Sequence, residues 1–444
     1  MTANPKLQPT AAAPARTGAK TVSVVITIIL LVVGTAAGLA VGYYAAPRGT
    51  GASGLCSSGQ TFTLGALLDL SKDLSSQGNR AKRSTAMAID DVNAFLSASG
   101  CTSKFAISVS DYQLDNAIGL TALQNFGSSG IQVVIGPLNS GTAQYILSYA
   151  NSHNIVLISP SSTSPALAIA NDFLFRTVPN DAAQGLADAR MIKDRGANAL
   201  IIVYRDDTYG GGLANATASR FTALGGTIVD KIKYDTKATD YTATITTLFN
   251  DYTAANTGAN TGKVAMDFVS FEEFGSIIIQ ANQQHSTLLS TPLPWFGTDG
   301  EANDAVLSSN STTGPLLAQV RLPSTLYAPA NNTKTIDFTT RYSQKYTPDI
   351  CDAYCLSAYD DVWLAASATL QAGSYSGTAI QKVIPTVASN MFGITGWMGL
   401  QTSGDRIPTS YQIWKVVLVS STPKWVLAGN WDQSTDTVTW ISAP

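Results

Sequence analysis

Short apolar runs alternate along the chain with longer stretches in which apolar residues recur every three or four positions. Thr61–Leu68, Phe105–Val109, Ile131–Ile135 and Ile155–Ser159 read as strands. Asn79–Ser97 carries Ala88, Ile89, Val92, Phe95 and Leu96 on one helical face, and further helices are predicted near Ala117–Phe126 and Thr142–Ser152. This alternation implies a mostly parallel sheet covered on both faces by helices. The rhythm restarts after Arg176-Thr-Val-Pro-Asn180, with a helix over Ala182–Arg195 and a strand over Ala199–Tyr204. Helix, strand and helix follow near Gly212–Leu224, Gly226–Ile232 and Tyr241–Tyr252, then strands at Val264–Ser270 and Pro294–Phe296. Ser410–Val419 and Lys424–Trp431 read as a hairpin across Ser420-Ser-Thr-Pro423, with Thr437–Ile441 as a third strand. Two α/β units in one chain imply two lobes.

The pattern differs before residue 60. Thr21–Pro47 carries no charge until Arg48, and Val22–Val41 is long enough to cross a bilayer as a helix. A cleaved signal peptide has a shorter apolar core, so an uncleaved anchor is the favoured reading. Lys6, Arg16 and Lys20 precede the segment and Arg48 follows it, which places the N-terminus in the cytoplasm and the rest outside the cell. Tyr43 and Tyr44 suit the far interface. Gly34, Gly38 and Gly42 share one helical face and would permit a homodimer through the membrane; small residues without a partner are the other reading. The predicted organisation is a tail (1–20), an anchor (21–45), a Gly/Ser-rich stalk (46–60), lobe 1 (61–178 and 325–400) and lobe 2 (179–324 and 401–444).

Composition narrows the function. A net charge of −3 leaves no basic footprint for nucleic acid, and 45% hydrophobic residues exclude a disordered chain. His153 and His285 lie far apart and the four cysteines form no CxxC pair, so no metal site is expected. Outside the cell the cysteines are expected to pair. Cys56 and Cys101 each precede a strand, and neighbouring parallel strands would bring them to one sheet edge. Cys351 and Cys355 can pair only if Cys351 lies outside the helix, which Pro348 favours. Asn215, Asn310 and Asn331 open glycosylation sequons. The anchor, the sequons and the hydroxyl-rich surface suggest an archaeal cell-surface protein.

Ligands of open α/β sheets bind beyond the carboxyl ends of strands. Gly136-Pro-Leu-Asn-Ser-Gly-Thr142 and Ser159-Pro-Ser-Ser-Thr-Ser-Pro165 occupy two such positions. Hydroxyls and backbone N–H groups there suit a carboxylate; the alternative is that Ser140 or Thr142 only caps its own helix. Asp299, in Gly297-Thr-Asp-Gly300, either accepts from an ammonium or shapes a turn. Together these loops would suit a zwitterion. No nucleophile elbow, dinucleotide fingerprint, phosphate loop or HExxH motif occurs, so neither an enzyme nor a cofactor is expected. Asp206-Asp207 and Glu272-Glu273 read as solvated carboxylate pairs.

These segments resemble the type I periplasmic-binding-protein family, above all its branched-chain amino-acid branch. The resemblance rests on Gly78 through Ala88-Ile-Asp-Asp-Val-Asn93, Val134-Ile-Gly-Pro137, Ile158-Ser-Pro160, Phe175-Arg-Thr-Val-Pro-Asn180, Asp207-Thr-Tyr-Gly210, Phe296-Gly-Thr-Asp-Gly300 and Gly393-Ile-Thr-Gly396. It implies an extracellular substrate-binding subunit that captures an amino acid by cleft closure and delivers it to an ABC-transporter permease. It further implies that Ser140 and Thr163, with main chain around Ser161, hold the ligand carboxylate and that Asp299 grips the ammonium. Tyr209 and Phe271 would close from lobe 2, and Gln77 would face the ligand side chain. Two departures stand out. Asn139 replaces a frequent cysteine, and Glu272 and Glu273 would change the charge of the pocket. A sensor ectodomain, or the same fold binding urea or a short amide, are the alternatives.

Overall fold

The computed structural model describes residues 52–444. The predicted tail, anchor and glycine face lie outside these residues. Among the described residues no helix is long and apolar enough to cross a membrane. The described end of the expected stalk is not loose coil: Ala52–Cys56 is helical, and Cys56 is disulfide-bonded to Cys101.

Five strands form the first sheet: β1 (Thr61–Leu68), β2 (Lys104–Asp111), β3 (Val133–Ile135), β4 (Val156–Ser159) and β5 (Leu174–Arg176). Their order is β2-β1-β3-β4-β5, and every pairing is parallel. β3 and β4 are buried along their whole length, as strands covered on both faces must be. One face packs on Asn116–Ser128 and Ser140–His153 through Leu123, Phe126, Ile146 and Leu147. The other packs on Ser75–Ala98, Ala353–Ala372 and Gly377–Ser389 through Met87, Val92, Val362 and Ile384.

The second sheet contains β6 (Ala199–Arg205), β7 (Thr227–Tyr234), β8 (Val264–Val269), β9 (Trp295–Gly297) and β10 (Ser324–Tyr327), then β13 (Tyr411–Val419), β14 (Thr422–Asp432) and β15 (Thr437–Trp440). The short pair β11 (Phe392–Gly393) and β12 (Gly396–Trp397) stands apart. The second order is β7-β6-β8-β9-β10-β13-β14-β15, parallel through β10 and antiparallel beyond it. β10 therefore belongs to lobe 2, so the chain crosses back after Tyr327 rather than at residue 325. The hairpin turn is only Ser420-Ser421, both at positive φ, because Thr422 already pairs with Val419. Cys351 sits before the helix that Asp352 caps, and its Cα lies 5.2 Å from that of Cys355, so the second disulfide forms as the sequence required.

The lobes are joined three times, after β5, after β10 and before β13. At the joint, Arg176 Nε meets Asp405 at 2.6 Å with both side chains buried, and the Arg176 Nη1 donates to the Ser164 carbonyl at 2.7 Å. One apolar cluster crosses the cleft: Leu68, Leu74 and Leu138 of lobe 1 pack with Tyr209, Phe271 and Phe296 of lobe 2. The lobes are closed on one another.

Candidate functional site

The candidate site lies between the lobes, beyond the carboxyl ends of both sheets. On lobe 1, the loop after β3 runs into the helix Ser140–His153 with Ser140 at its first position. The first turn of any helix leaves backbone N–H groups without intrahelical acceptors, so this end suits a carboxylate. Ser140 Oγ accepts from the Thr163 and Ser164 N–H groups, both at 3.1 Å, and so ties the loop after β4 to the helix. Ser161 Oγ donates to the Leu138 carbonyl at 2.9 Å. Asn139, at the N-cap, is fixed by Tyr112, whose hydroxyl donates to Asn139 Oδ1 at 2.8 Å. The loop after β1 is shaped by Asp69, which accepts from the Lys72 and Leu74 N–H groups and so presents Leu74 to the cleft. Burial holds the Asp69 pKa up at about 6 against those bonds.

On lobe 2, Asp299 follows β9. Glu301 pins this loop: one of its oxygens accepts from the Ser270 N–H at 2.9 Å, the other from the Thr298 N–H at 2.9 Å. Gly300 is required beside it, because a Cβ there would lie 2.0 Å from the Ser270 carbonyl oxygen. The Asp299 carboxylate is buried and already surrounded by protein donors. Gln184 Nε2 reaches Oδ1 at 2.8 Å, the Tyr209 hydroxyl reaches Oδ1 at 2.7 Å, and the Tyr354 hydroxyl donates to Oδ2. Burial raises the Asp299 pKa and these three donors oppose the rise. Tyr209 stacks on Phe271 with centroids 5.2 Å apart, and Arg205 lies over the Phe271 ring.

Six of the eight expected residues line this one pocket: Gln77, Ser140, Ser161, Tyr209, Phe271 and Asp299. Thr163 stands one step behind, contributing its N–H to Ser140. Thr142 does not belong to the pocket; it is fully buried and its hydroxyl donates to Asn116 at 2.9 Å, because the second residue after Ser140 points to the neighbouring helix. Glu272 and Glu273 do not line it either. Glu273 is buried against Arg205 (2.6 Å) and Tyr234 (2.8 Å), so the expected solvated pair is half wrong. Glu272 reaches across the cleft, accepting from the Ser76 N–H at 2.7 Å and from the Ser75 hydroxyl. The sequence reading missed Tyr354 and Gln184. Both lie on helices and not in the strand-end loops: Gln184 reaches Asp299 within lobe 2, and Tyr354 reaches it across the cleft from a helix packed on the first sheet. Asn215, Asn310 and Asn331 are all exposed.

A two-lobed α/β fold with hydroxyl and N–H groups on one lobe facing a buried carboxylate on the other defines a protein with a ligand-binding cleft between its lobes. The chain belongs to the type I periplasmic-binding-protein class: residues 80–418 match the receptor family ligand binding region. It is 30% identical over 395 residues to an uncharacterised protein of Methanocaldococcus jannaschii, covering 85% of this chain and 91% of that one. It is 26% identical over 364 residues to a chemotactic signal transduction system substrate-binding protein of Halobacterium salinarum, covering 76% of each chain. The fold matches a leucine-binding protein of Thermotoga maritima with a TM-score of 0.69 at 19% identity, covering 82% of this chain and 97% of that one. The family is non-enzymatic and binds substrates.

Proposed function

We propose that this protein captures a small amino acid in the interlobe cleft and delivers it to an ABC-transporter permease. One observation carries the reading: Ser140 at a helix N-terminus and Asp299 on the opposite lobe line the same enclosed pocket. A ligand with a carboxylate and an ammonium would bridge them. A ligand that touches both lobes favours the closed state, which is how binding becomes a conformational signal for a membrane partner. The leucine-binding fold relative supports the ligand class. The apolar segment Val22–Val41 would hold the protein at the cell surface, with the lobes outside.

The test is a titration of the full chain, in mild detergent, with amino acids, urea and short amides, read by calorimetry and thermal midpoint. Saturation by an amino acid, lost in Asp299→Ala, supports the reading. Binding of urea or an amide alone, insensitive to Asp299→Ala, overturns the role given to Asp299.

The halobacterial chemotactic relative favours a second reading, in which the closed form signals to a sensory partner. Deletion of the gene separates the two: transport predicts lost uptake, sensing predicts lost response with uptake intact.

A further inference from the structure

Glu272 and Glu273 stand side by side in the loop after β8, yet they bond to different halves of the molecule. Glu273 is engaged within its own lobe, by Arg205, Tyr234 and the Phe271 N–H. The Glu272 carboxyl group faces lobe 1 instead. Its Oε1 accepts from the Ser76 N–H at 2.7 Å, and the Ser75 hydroxyl donates to Oε2 at 3.0 Å. Among the described residues its side chain makes no hydrogen bond within lobe 2. Burial, with the Asp304 and Asp73 carboxylates beside it, pushes its pKa up to about 8, so it meets lobe 1 as a hydrogen-bond acceptor rather than as half of an ion pair.

It accepts from the open end of a helix. Ser75–Ala98 is 24 residues long and starts after Leu74, an N-cap whose side chain has no acceptor. The first-turn N–H groups of any helix lack partners inside it, and here the Ser76 N–H finds one on the opposite lobe. Two further bonds flank this contact. The Glu272 N–H donates to the Asp73 carbonyl at 3.0 Å, and the Ala305 N–H donates to Ser76 Oγ at 3.3 Å. Met87, Ala88 and Val92 bury the same helix against the first sheet, so whatever holds its first turn holds lobe 1. Other bonds cross the cleft from groups with partners in their own lobe. Arg80 reaches the Asn303 carbonyl but also pairs with Asp349 and Asp352, and Ser164 Oγ donates to the Thr208 carbonyl while accepting from the Ala166 N–H. Opening the cleft would cost those groups one bond of several. It would strip the Glu272 side chain and the Ser76 N–H of the bonds described.

We propose that Glu272 is a latch: it caps the helix Ser75–Ala98 from the opposite lobe and so shifts the cleft toward its closed form without touching the ligand. Glu272 does not line the pocket, so this positioning role is the same whichever small ligand the cleft takes. It goes beyond the amino-acid reading and does not depend on it.

The experiment measures the interlobe distance by dipolar electron resonance on the full, ligand-free chain in mild detergent. Spin labels are placed at Ser97→Cys and Gln283→Cys, both exposed positions. The four native cysteines are all in disulfides, so only these two take a label. Glu272→Ala should lower the ratio of closed to open populations about tenfold, the weight of one or two hydrogen bonds. Glu272→Gln keeps an acceptor oxygen and should stay within about threefold of the unaltered chain. Hydrogen exchange gives the local reading: the amides of residues 75–77 should exchange faster in Glu272→Ala and not in Glu272→Gln. A distance distribution that Glu272→Ala leaves unchanged overturns the latch, and so does an unaltered chain that is wholly open. Glu272→Gln opening the cleft as far as alanine does the same, because the bonds described need an acceptor and not a charge. Should Glu272→Ala fail to fold, Ser75→Ala removes one of the two donors and should lower the same ratio about threefold; no shift then overturns the proposal.

Discussion

The two faces of the cleft are built from opposite chemistry. Lobe 1 presents neutral groups: the Ser140 hydroxyl and the N–H groups of the first turn of the helix Ser140–His153, with Ser161 beside them. Lobe 2 presents acid. Behind Asp299 lie Asp188, Asp267 and Glu301, each with no solvent exposure, and Asp181 at the joint is equally buried. Burial raises the pKa of every one of them, and the neighbouring carboxylates raise Asp181, Asp188 and Glu301 further. The lobes are also held differently. Both disulfides sit in lobe 1, tying Cys56 to Cys101 and Cys351 to Cys355. Lobe 2 has no cross-link among the described residues and relies on its apolar core and on ion pairs such as Arg205–Glu273. Neither face alone is complementary to a zwitterion. On the amino-acid reading proposed above, the division would give each lobe half of the recognition, so that binding and closure would be one event.

Removing the acidic half breaks the comparison most severely. Asp299→Ala leaves a ligand ammonium buried without a partner, which costs about 3–5 kcal/mol by analogy with broken buried pairs. Calorimetry with the amino acid that saturates the unaltered chain should show a Kd raised by more than about a hundredfold. A change below about tenfold would mean that Asp299 is a structural acceptor for Tyr209, Tyr354 and Gln184 and nothing more.

Opening the staples of lobe 1 tests what its rigidity is worth. Cys56 and Cys101 are 45 residues apart, Cys351 and Cys355 only 4. Loop-closure entropy then predicts a loss of about 4 kcal/mol for the first pair replaced by serine and about 2 kcal/mol for the second. Urea unfolding of the two double variants reads the order directly, and an inverted order would contradict it.

Ser140→Ala removes the neutral half more gently. One hydroxyl donor to a charged group is worth about 1.5 kcal/mol, so Kd should rise roughly tenfold while the helix N–H groups still serve the carboxylate. An unchanged Kd would assign Ser140 only to tying Thr163 and Ser164.

The comparison also predicts a pH slope. Burial and the nearby Asp304 and Asp73 carboxylates push Glu272 up to about 8, while burial holds Asp267 at about 7 and Asp304 at about 6. All three lie above their ordinary values, so the folded chain holds more protons than the unfolded one across that window. Stability therefore falls as pH rises from about 5 to about 8. Glu272→Gln should flatten the upper part of this slope in thermal scans. An upward slope would refute the assignment.

Much of the strand pattern was legible: Thr61–Leu68 is a strand as expected, and the βα rhythm restarts where Arg176–Asn180 crosses between lobes, but the short strands Leu174–Arg176 and Ser324–Tyr327 were not expected. Asp299 and Ser140 were legible as candidates because both sit in small polar loops at strand ends, although the same residues also suit a turn or a helix cap, and both line the interlobe pocket. Gln184 and Tyr354 were not, because helix residues advertise only which face is buried, not what faces them. Glu272 misled for a related reason. Adjacent carboxylates usually sit in solvent, and the local sequence carries no sign that one caps a helix of the other lobe.

The sequence by itself determined the periodicities, and through them the two α/β units, the strand ends and the chemistry placed there, since these depend on residues close along the chain. Only the tertiary structure decided which lobe β10 joins, which donors saturate Asp299 and which helix Glu272 reaches. Those outcomes depend on groups more than 100 residues apart, such as Gln184 with Asp299, which meet when lobe 2 folds, and Ser76 with Glu272, which meet when the two lobes close.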